Sequence, residues 1–324
     1  MEPKPKVVVT WPISDKALAL LREKYEVAVN EKEEALSPEE LLGFVKGAHA
    51  ILCLLTNKIT GEVCDAAGSQ LKIVATMSVG FDHIDLAATA QRGIVVTNTP
   101  GTSDNAVAEH TITLMLSLAK HIPLADKFVR QGKYSGWDPK IFNGPELSGK
   151  VLSIVGLGHI GSRVAHIAGF GLGMAIAYTD IRPNPDFESK FNAKYFSVDE
   201  VFSVGDVVTV HVPLLPATKH LVNAARLSTM KPTAYLVNTS RGPVVDEAAL
   251  TDALKRKLIA GAAIDVYENE PNITPDLLSL ENVIMTPHTA SATFEAREAM
   301  AQKAVANILA VLSGQPALDL VQAK

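Results

Sequence analysis

Short apolar runs rich in β-branched residues recur along this chain, separated by stretches in which apolar positions return every third or fourth residue. Val7–Thr10, Tyr25–Val29, Ala50–Leu55, Ile73–Thr76 and Val95–Thr97 have the continuous hydrophobic character of strands buried on both faces, which is the mark of a parallel sheet. Between them, Lys16–Lys24 and Pro38–Lys46 have helical spacing, the second with Ser37 as its cap. This alternation predicts βαβ units. Asn98-Thr-Pro-Gly101 interrupts the rhythm and reads as a hinge, after which Ala106–Lys120 is one long helix. Residues 130–148 hold Gly132, Tyr134, Trp137, Pro139, Phe142, Gly144 and Pro145 and read as an irregular arm.

A second series of strands follows, at Val151–Val155, Met174–Tyr178, Val207–Val210, Ala234–Asn238, Gly261–Asp265 and Val283–Met285. After Pro287-His288 a last helix is predicted over Ala292–Leu312. Its apolar stripe must pack on something, and a return to the first series would make that domain discontinuous. The expected fold is α/β: two Rossmann-like, doubly wound parallel-sheet domains with a cleft between them. Residues 1–98 plus 289–324 are expected to form a flavodoxin-like domain, and 99–288 a Rossmann-like one.

Composition changes this picture little. The 324 residues, 47% hydrophobic and 20% charged, suit two globular domains, and a net charge of -5 provides no footprint for nucleic acid or an anionic membrane. The two cysteines, Cys53 and Cys64, form no Cys-x-x-Cys pair and no Cys/His cluster, so a reducing compartment and no metal are expected. Met1-Glu-Pro-Lys-Pro-Lys leads straight into the first strand without an apolar signal core, which points to the cytoplasm.

Candidate chemistry enters at Gly156-Leu-Gly158-His159-Ile160-Gly161, placed between a strand and a helix. Gly156 permits a sharp turn, Gly158 lets backbone approach a pyrophosphate, and Gly161 allows the helix to pack close to the strand. The phosphates would rest on the positive end of that helix. Asp180 closes the next strand at the spacing of roughly 20 residues expected of an acid that binds a ribose 2′-hydroxyl. A carboxylate there repels a 2′-phosphate, so NAD(H) is favoured; Arg182, beside Ile181, keeps NADP(H) as the alternative. Strand-end turns elsewhere are expected to contribute further cofactor contacts, at His211, Val212, Pro213 and Thr218 and at Asn238, Thr239 and Ser240.

Three more strand ends carry polar groups, where α/β sheets place their working residues. Arg241 follows a strand in a glycine-marked turn and has the shape to hold a carboxylate in two places. Asp265 and Glu270 stand in an acidic loop. His288 follows Thr286-Pro, and a histidine is suited to moving a proton to or from an alcohol near neutral pH, with Glu270 to hold its ring.

Taken together with Val79-Gly80-Phe-Asp-His-Ile-Asp85, Arg92-Gly-Ile-Val-Val-Thr-Asn98, Ala106-Val-Ala-Glu109-His110-Thr, Met230-Lys-Pro and Asp265-Val-Tyr-Glu-Asn-Glu270-Pro, these motifs resemble those of the D-isomer-specific 2-hydroxyacid dehydrogenases, and among them the glyoxylate/hydroxypyruvate reductases, over nearly the whole length. The resemblance implies that Arg241 binds substrate, His288 is the acid/base and Glu270 pairs with it. It implies that amides around Val79 and Gly80 hold the substrate carboxylate, that Asp265 and His288 lie near the nicotinamide, and that a homodimer forms through the nucleotide domain, around 120–145. Where relatives acting on phosphorylated acids carry an arginine, this chain has Leu54, so glyoxylate or hydroxypyruvate is expected. The rivals are another D-2-hydroxy acid of the lactate or phosphoglycerate type, and a non-catalytic NAD-sensing regulator.

Overall fold

The computed structural model describes residues 4–32 and 34–321. Met1–Pro3, where the reading of the N-terminus begins, lie outside the described residues, as do Glu33 and Gln322–Lys324. The chain divides into two compact units, Met1–Ser103 with Ala292–Lys324, and Asp104–Ser291.

In the first unit, β1 (Lys6–Val9), β2 (Glu26–Val29), β3 (Ala50–Cys53), β4 (Ile73–Thr76) and β5 (Val95–Thr97) alternate with α1 (Asp15–Arg22), α2 (Pro38–Phe44), α3 (Gly61–Ala67) and α4 (Leu86–Gln91). All pairings are parallel, in the order β2-β1-β3-β4-β5. Alternate residues serve opposite faces. Val7, Val9, Leu52 and Ala75 pack with α1 and with Met300, Ala301, Ala304, Val305 and Ile308 of the last helix, Phe294–Leu312, whereas Val8, Ile51, Cys53 and Val74 pack with Leu41, Val63 and Ala67. Each Val, Leu, Ile or Met side chain among these contributes roughly 1.5–3 kcal/mol on burial, which is why the last helix folds back onto the first unit.

The second unit holds α5 (Asp104–Ala119), α6 (Ile122–Arg130), β6 (Val151–Val155), α7 (His159–His166), β7 (Ala175–Thr179), α8 (Pro185–Phe191), β8 (Lys194–Tyr195), α9 (Glu200–Val204), β9 (Val207–Val210), α10 (Ala224–Thr229), β10 (Tyr235–Asn238), α11 (Glu247–Lys255), β11 (Gly261–Ile264), α12 (Pro275–Leu278) and β12 (Val283–Met285). The last helix is α13. The sheet is again parallel, in the order β12-β11-β10-β9-β6-β7-β8. Strand order reverses between β6 and β9, so a crevice opens at their carboxyl ends, the usual place for a ligand in an open α/β sheet. Two pairings of helix and sheet close the faces: Ile112, Met115 and Leu118 of α5 with Leu152, Ile154 and Val237, and Leu227, Leu250 and Leu254 with Val208, Val210 and Leu236.

Two elements depart from expectation. β8 adds a seventh strand too short to show a pattern. α6 stands where no helix is predicted, separated from α5 by His121 in the left-handed region (φ 53°), and none of its residues is buried. Two of its apolar positions, Ile122 and Val129, face solvent at 54% and 56% exposure. No helix of the described residues is long and apolar enough to cross a membrane.

Candidate active site

The turn after β6 is assembled from close approaches that only glycine allows. Gly156 has φ +95°, and a Cβ on it would come within 2.8 Å of Val212 and 2.9 Å of the His211 backbone. A Cβ on Gly161 would stand 2.3 Å from the Gly156 carbonyl oxygen. Gly158 is different: it is the N-cap of α7, no side chain caps that helix, and a Cβ there would meet nothing within 4 Å. Packing therefore does not require a glycine at 158, whereas an anion lying against the backbone N–H groups does. These residues fit the diphosphate of a dinucleotide.

Asp180, directly after β7, faces the same turn. Its Oδ2 accepts from the Leu157 N–H at 2.7 Å and its Oδ1 from the Ile181 N–H at 2.6 Å. Each carboxylate oxygen retains a lone pair for a ribose hydroxyl. Ile181 is 97% exposed, Arg182 is exposed too, and His159 reaches Asp104 at 3.5 Å. Ile160 packs into the core beneath α7.

Across the strand-order reversal, the His211 N–H donates to the Val155 carbonyl at 2.8 Å and its Nε2 lies 3.0 Å from the Thr209 hydroxyl. Desolvation pushes its pKa down to about 3, so the ring is neutral. Val212 and Pro213 follow, and the Thr218 hydroxyl ties this loop by donating to the Pro213 carbonyl at 2.6 Å and accepting from the Leu215 N–H at 2.8 Å.

Arg241 is presented by the turn after β10. Asn238, 1% exposed, accepts from the N–H and hydroxyl of Ser240 at 3.0 and 2.8 Å and donates to the Arg241 carbonyl at 3.0 Å. Thr239 is anchored to Thr111 of α5, hydroxyl to hydroxyl, at 2.9 Å. Gly242 then passes so near the next loop that a Cβ would lie 1.8 Å from the Tyr267 carbonyl oxygen. That contact sets Arg241 beside the loop that holds Glu270.

Glu270 and His288 meet directly, Oε2 to Nδ1, at 3.0 Å. The other oxygen of Glu270 accepts the Tyr267 N–H at 3.0 Å. Burial alone would raise the Glu270 carboxyl; the hydrogen bond and charge of His288, the Tyr267 N–H and the nearby Arg241 outweigh it and hold the group below the usual carboxylate range. With Nδ1 engaged, Nε2 is the ring nitrogen left for a reacting group.

His288 has φ +55°, a conformation costly for a residue with a Cβ. Asp265, 0% exposed, supplies the constraint that holds it. The His288 N–H donates to the Asp265 carbonyl at 2.8 Å, while the N–H groups of Thr289 and Ala290 each donate to one carboxylate oxygen at 2.8 Å. The Thr286 hydroxyl donates to the same carboxylate at 2.6 Å, and His110 Nε2 stands 3.5 Å from it and 3.2 Å from Thr286. Burial pushes the Asp265 carboxyl up, but His110, Thr286 and the two amides more than reverse it. Asp265 thus shapes the turn that presents His288. His110 lies in the motif at 106–111, yet its pairing is not legible from the sequence, because the partner is 155 residues away.

In the first unit, Val79 and Gly80 form the loop after β4. Its internal bonds use their carbonyls: Asn98 donates to the Val79 carbonyl at 2.7 Å and the Ser78 hydroxyl to that of Gly80. Leu54 follows β3, at that sheet's own order reversal between β1 and β3.

Residues 112–290 match the family described as D-isomer specific 2-hydroxyacid dehydrogenase, NAD binding domain. The chain belongs to that family. This family member is 47% identical over 323 residues to a glyoxylate reductase of Thermofilum pendens, covering 97% of this chain and 94% of that one. Among solved structures, a Thermus thermophilus protein superposes with a TM-score of 0.92 at 39% identity, covering 98% of this chain and 100% of that one. An NADPH-dependent glyoxylate/hydroxypyruvate reductase of Sinorhizobium meliloti, solved with NADP and malonate, gives 0.85 at 34% identity, covering 98% and 97%.

Proposed function

We propose that this dehydrogenase reduces a small 2-oxo acid, glyoxylate or hydroxypyruvate, to the 2-hydroxy acid. The observation that carries the reading is the Glu270–His288 pair at 3.0 Å, held beside the Arg241 turn within one unit. The naming of its relatives as glyoxylate reductases supports the substrate class.

A bound nicotinamide dinucleotide supplies the hydride. Arg241 binds the substrate carboxylate and polarises the neighbouring carbonyl. Charge then develops on the C2 oxygen, and His288 donates its Nε2 proton there, so that C2 gains a hydrogen and its oxygen a proton. Glu270, hydrogen-bonded to Nδ1, keeps the ring oriented with Nε2 toward the substrate. The N–H groups of Val79 and Gly80 are proposed to bind substrate carboxylate, and Leu54 leaves no charge to pair with a phosphorylated tail. The Gly156–Gly161 turn and Asp180 hold NAD(H) in preference to NADP(H), with Asp265, Asn238–Ser240 and His211–Thr218 lining the cofactor site. Residues 99–288 are read as the nucleotide domain and the rest as the substrate domain. The exposed apolar residues of α6 and the arm, Ile122, Val129, Tyr134 and Trp137, are read as a homodimer contact of a cytoplasmic enzyme.

Absorbance loss at 340 nm with glyoxylate, hydroxypyruvate, pyruvate and phosphohydroxypyruvate, each with NADH and NADPH, tests this. Turnover of either of the first two with NADH is expected, and His288→Ala should lower kcat by at least about a hundredfold while leaving NADH binding in place. Unchanged turnover in His288→Ala would sink the acid–base role, and silence on all four substrates the reading as a whole.

A further inference from the structure

Among the described residues, two carboxylates are buried, Asp265 and Glu247, and both lie in the second unit. Asp265 shapes the His288 turn. Glu247, 6% exposed, is the first residue of α11, yet the capping of that helix belongs to Asp246, whose side chain accepts from the Ala249 N–H at 2.9 Å. The Glu247 carboxylate is turned instead to the loop between β11 and α12. One oxygen accepts the Glu268 N–H at 3.0 Å; the other accepts the Thr274 N–H at 3.0 Å and the Thr274 hydroxyl as well. Glu268 reciprocates, its Oε2 accepting the Glu247 N–H at 3.2 Å while its Oε1 meets His220 Nε2 at 2.6 Å. One buried carboxylate thus ties both ends of the segment 268–274, and Glu270 lies inside that segment.

We propose that Glu247 is a positioning residue for the acid–base pair: by fixing both ends of the segment 268–274 it sets where the Glu270 carboxylate stands against His288 Nδ1. The proposal rests on the acid–base reading of that pair. A carboxylate in a water-poor site with three donors is a stiff anchor, and without it the part-buried N–H groups of Glu268 and Thr274 lose their partner, so the segment must move to satisfy them. A shift well under 1 Å at Glu270 suffices to misalign a proton-transfer pair. Several charged or titratable groups surround the pair and its anchor. Arg241 and His288 face Glu270, Asp265 and the Tyr267 phenol flank the loop, and Glu268 with His220 stands against Glu247. Glu247 touches neither His288 nor Glu270, so its effect passes through the position of the segment.

The experiment compares full-length Glu247→Gln, Thr274→Val, Glu270→Gln and the double variant Glu247→Gln/Glu270→Gln. Glyoxylate reduction with NADH is followed against pH, together with NADH binding and Tm. Glu247→Gln is expected to lower kcat by about tenfold or more, with NADH affinity within about twofold of the parent. It should move the acidic limb of the pH–rate profile to higher pH, because a Glu270 carboxyl displaced from His288 loses the hydrogen bond and charge that hold it below the usual carboxylate range. The double variant should be no slower than Glu270→Gln by more than about twofold, since both substitutions break one unit. Thr274→Val should move the same limb by a smaller amount.

A Glu247→Gln enzyme with lowered Tm but an unmoved limb and unchanged kcat would overturn the proposal, as would fully multiplicative losses in the double variant. If Glu247→Gln does not fold, Thr274→Val decides, and an unmoved limb there overturns it. An unaltered rate and profile in Glu270→Gln would mark failure of the acid–base reading itself, and the proposal would fall with it.

Discussion

In each unit the first strand of the sheet leads through a turn into a helix, and the two turns solve the same geometric problem in opposite ways. After β1 the turn closes on its own side chains: Ser14 caps α1 by accepting the Ala17 N–H at 3.3 Å, and the buried Asn30, just past β2, donates to the Thr10 and Glu34 carbonyls at 3.1 Å each. After β6, α7 begins at Gly158 with no side-chain cap, and Asp180, just past β7, offers a carboxylate that accepts the Leu157 N–H. Asn30 and Asp180 occupy matching places, at the end of the strand that neighbours the first strand of their sheet. One turn is satisfied from within and the other keeps donors and lone pairs available. Topology makes a crevice at both switch points, but only side-chain chemistry decides which one suits a dinucleotide.

The sharpest way to break this comparison is at the third residue of each helix, Ala17 in α1 and Gly161 in α7. Ala17 carries its Cβ in the core, whereas a Cβ at 161 would meet the Gly156 carbonyl at 2.3 Å, a backbone atom that cannot move without opening the turn. Gly161→Ala is expected to cost about 3 kcal/mol or more and to abolish NADH binding, while Ala17→Gly costs about 1–2 kcal/mol and leaves binding intact. Thermal melts with NADH fluorescence titration check both. A Gly161→Ala protein that binds NADH normally would show that the close approach is not required.

The contrast extends to the buried polar groups at the strand ends. In the first unit these are neutral, among them Thr10, Asn30, Thr76 and Thr97, whereas the loop after β11 holds the buried Asp265 carboxylate. Its folded-state pKa is lowered, so the unfolded chain binds the proton more readily. The stability it contributes is therefore complete above the ordinary carboxylate range and is lost as pH falls through the lowered folded value. Asp265→Asn should cost about 2–3 kcal/mol near neutral pH, and the gap from the parent should narrow below about pH 4. A gap that stays constant down to acid pH would deny Asp265 its charged role.

Much of this was legible in the sequence because strand-end chemistry is local. The glycines after Val155, Arg241 before Gly242 and Pro287-His288 after β12 each sit next to the strand that positions them, so the pattern predicting the strand also placed the residue. What escaped was non-local. Glu247 reads as an ordinary acid in a first helical turn, and only the folding back of residues 268–274 reveals its partners. The pairing of His110 with Asp265 spans two elements far apart in the chain. α6 was missed because its apolar residues serve no core of this chain, and Asn30 because an asparagine after a strand looks like any turn residue.

Exchanging the chemistry of the two matching positions sharpens the comparison further. Asp180→Asn removes the charge that repels a 2′-phosphate, so the NADH KM should rise about tenfold, or ~1.4 kcal/mol, and the preference over NADPH should narrow by a similar factor. Asn30→Asp sets a carboxylate against two carbonyls it cannot bond, at a cost of about 2 kcal/mol, with cofactor preference unchanged. Steady-state kinetics with both cofactors, beside thermal melts, separate these outcomes. An Asp180→Asn enzyme with unaltered preference would return the discrimination to Arg182.

The smallest effects are expected at the two caps, and there they should differ in kind. Ser14→Ala removes a bond from the first turn of α1 and should lower stability by about 1 kcal/mol without altering NADH binding. Gly158→Ala adds a methyl where nothing lies within 4 Å, and Ala caps a helix only somewhat less well than Gly, so the melt should fall by less than in Ser14→Ala. Its methyl would instead stand between the α7 amides and an approaching diphosphate, weakening NADH by about fivefold, or ~1 kcal/mol. A cap that acts on stability and a cap that acts on affinity are the two outcomes of one strand–turn–helix geometry. If Gly158→Ala melts as early as Ser14→Ala while binding NADH as well as the parent, then 158 is a packing position, and the open N-terminus of α7 is not where the phosphates lie.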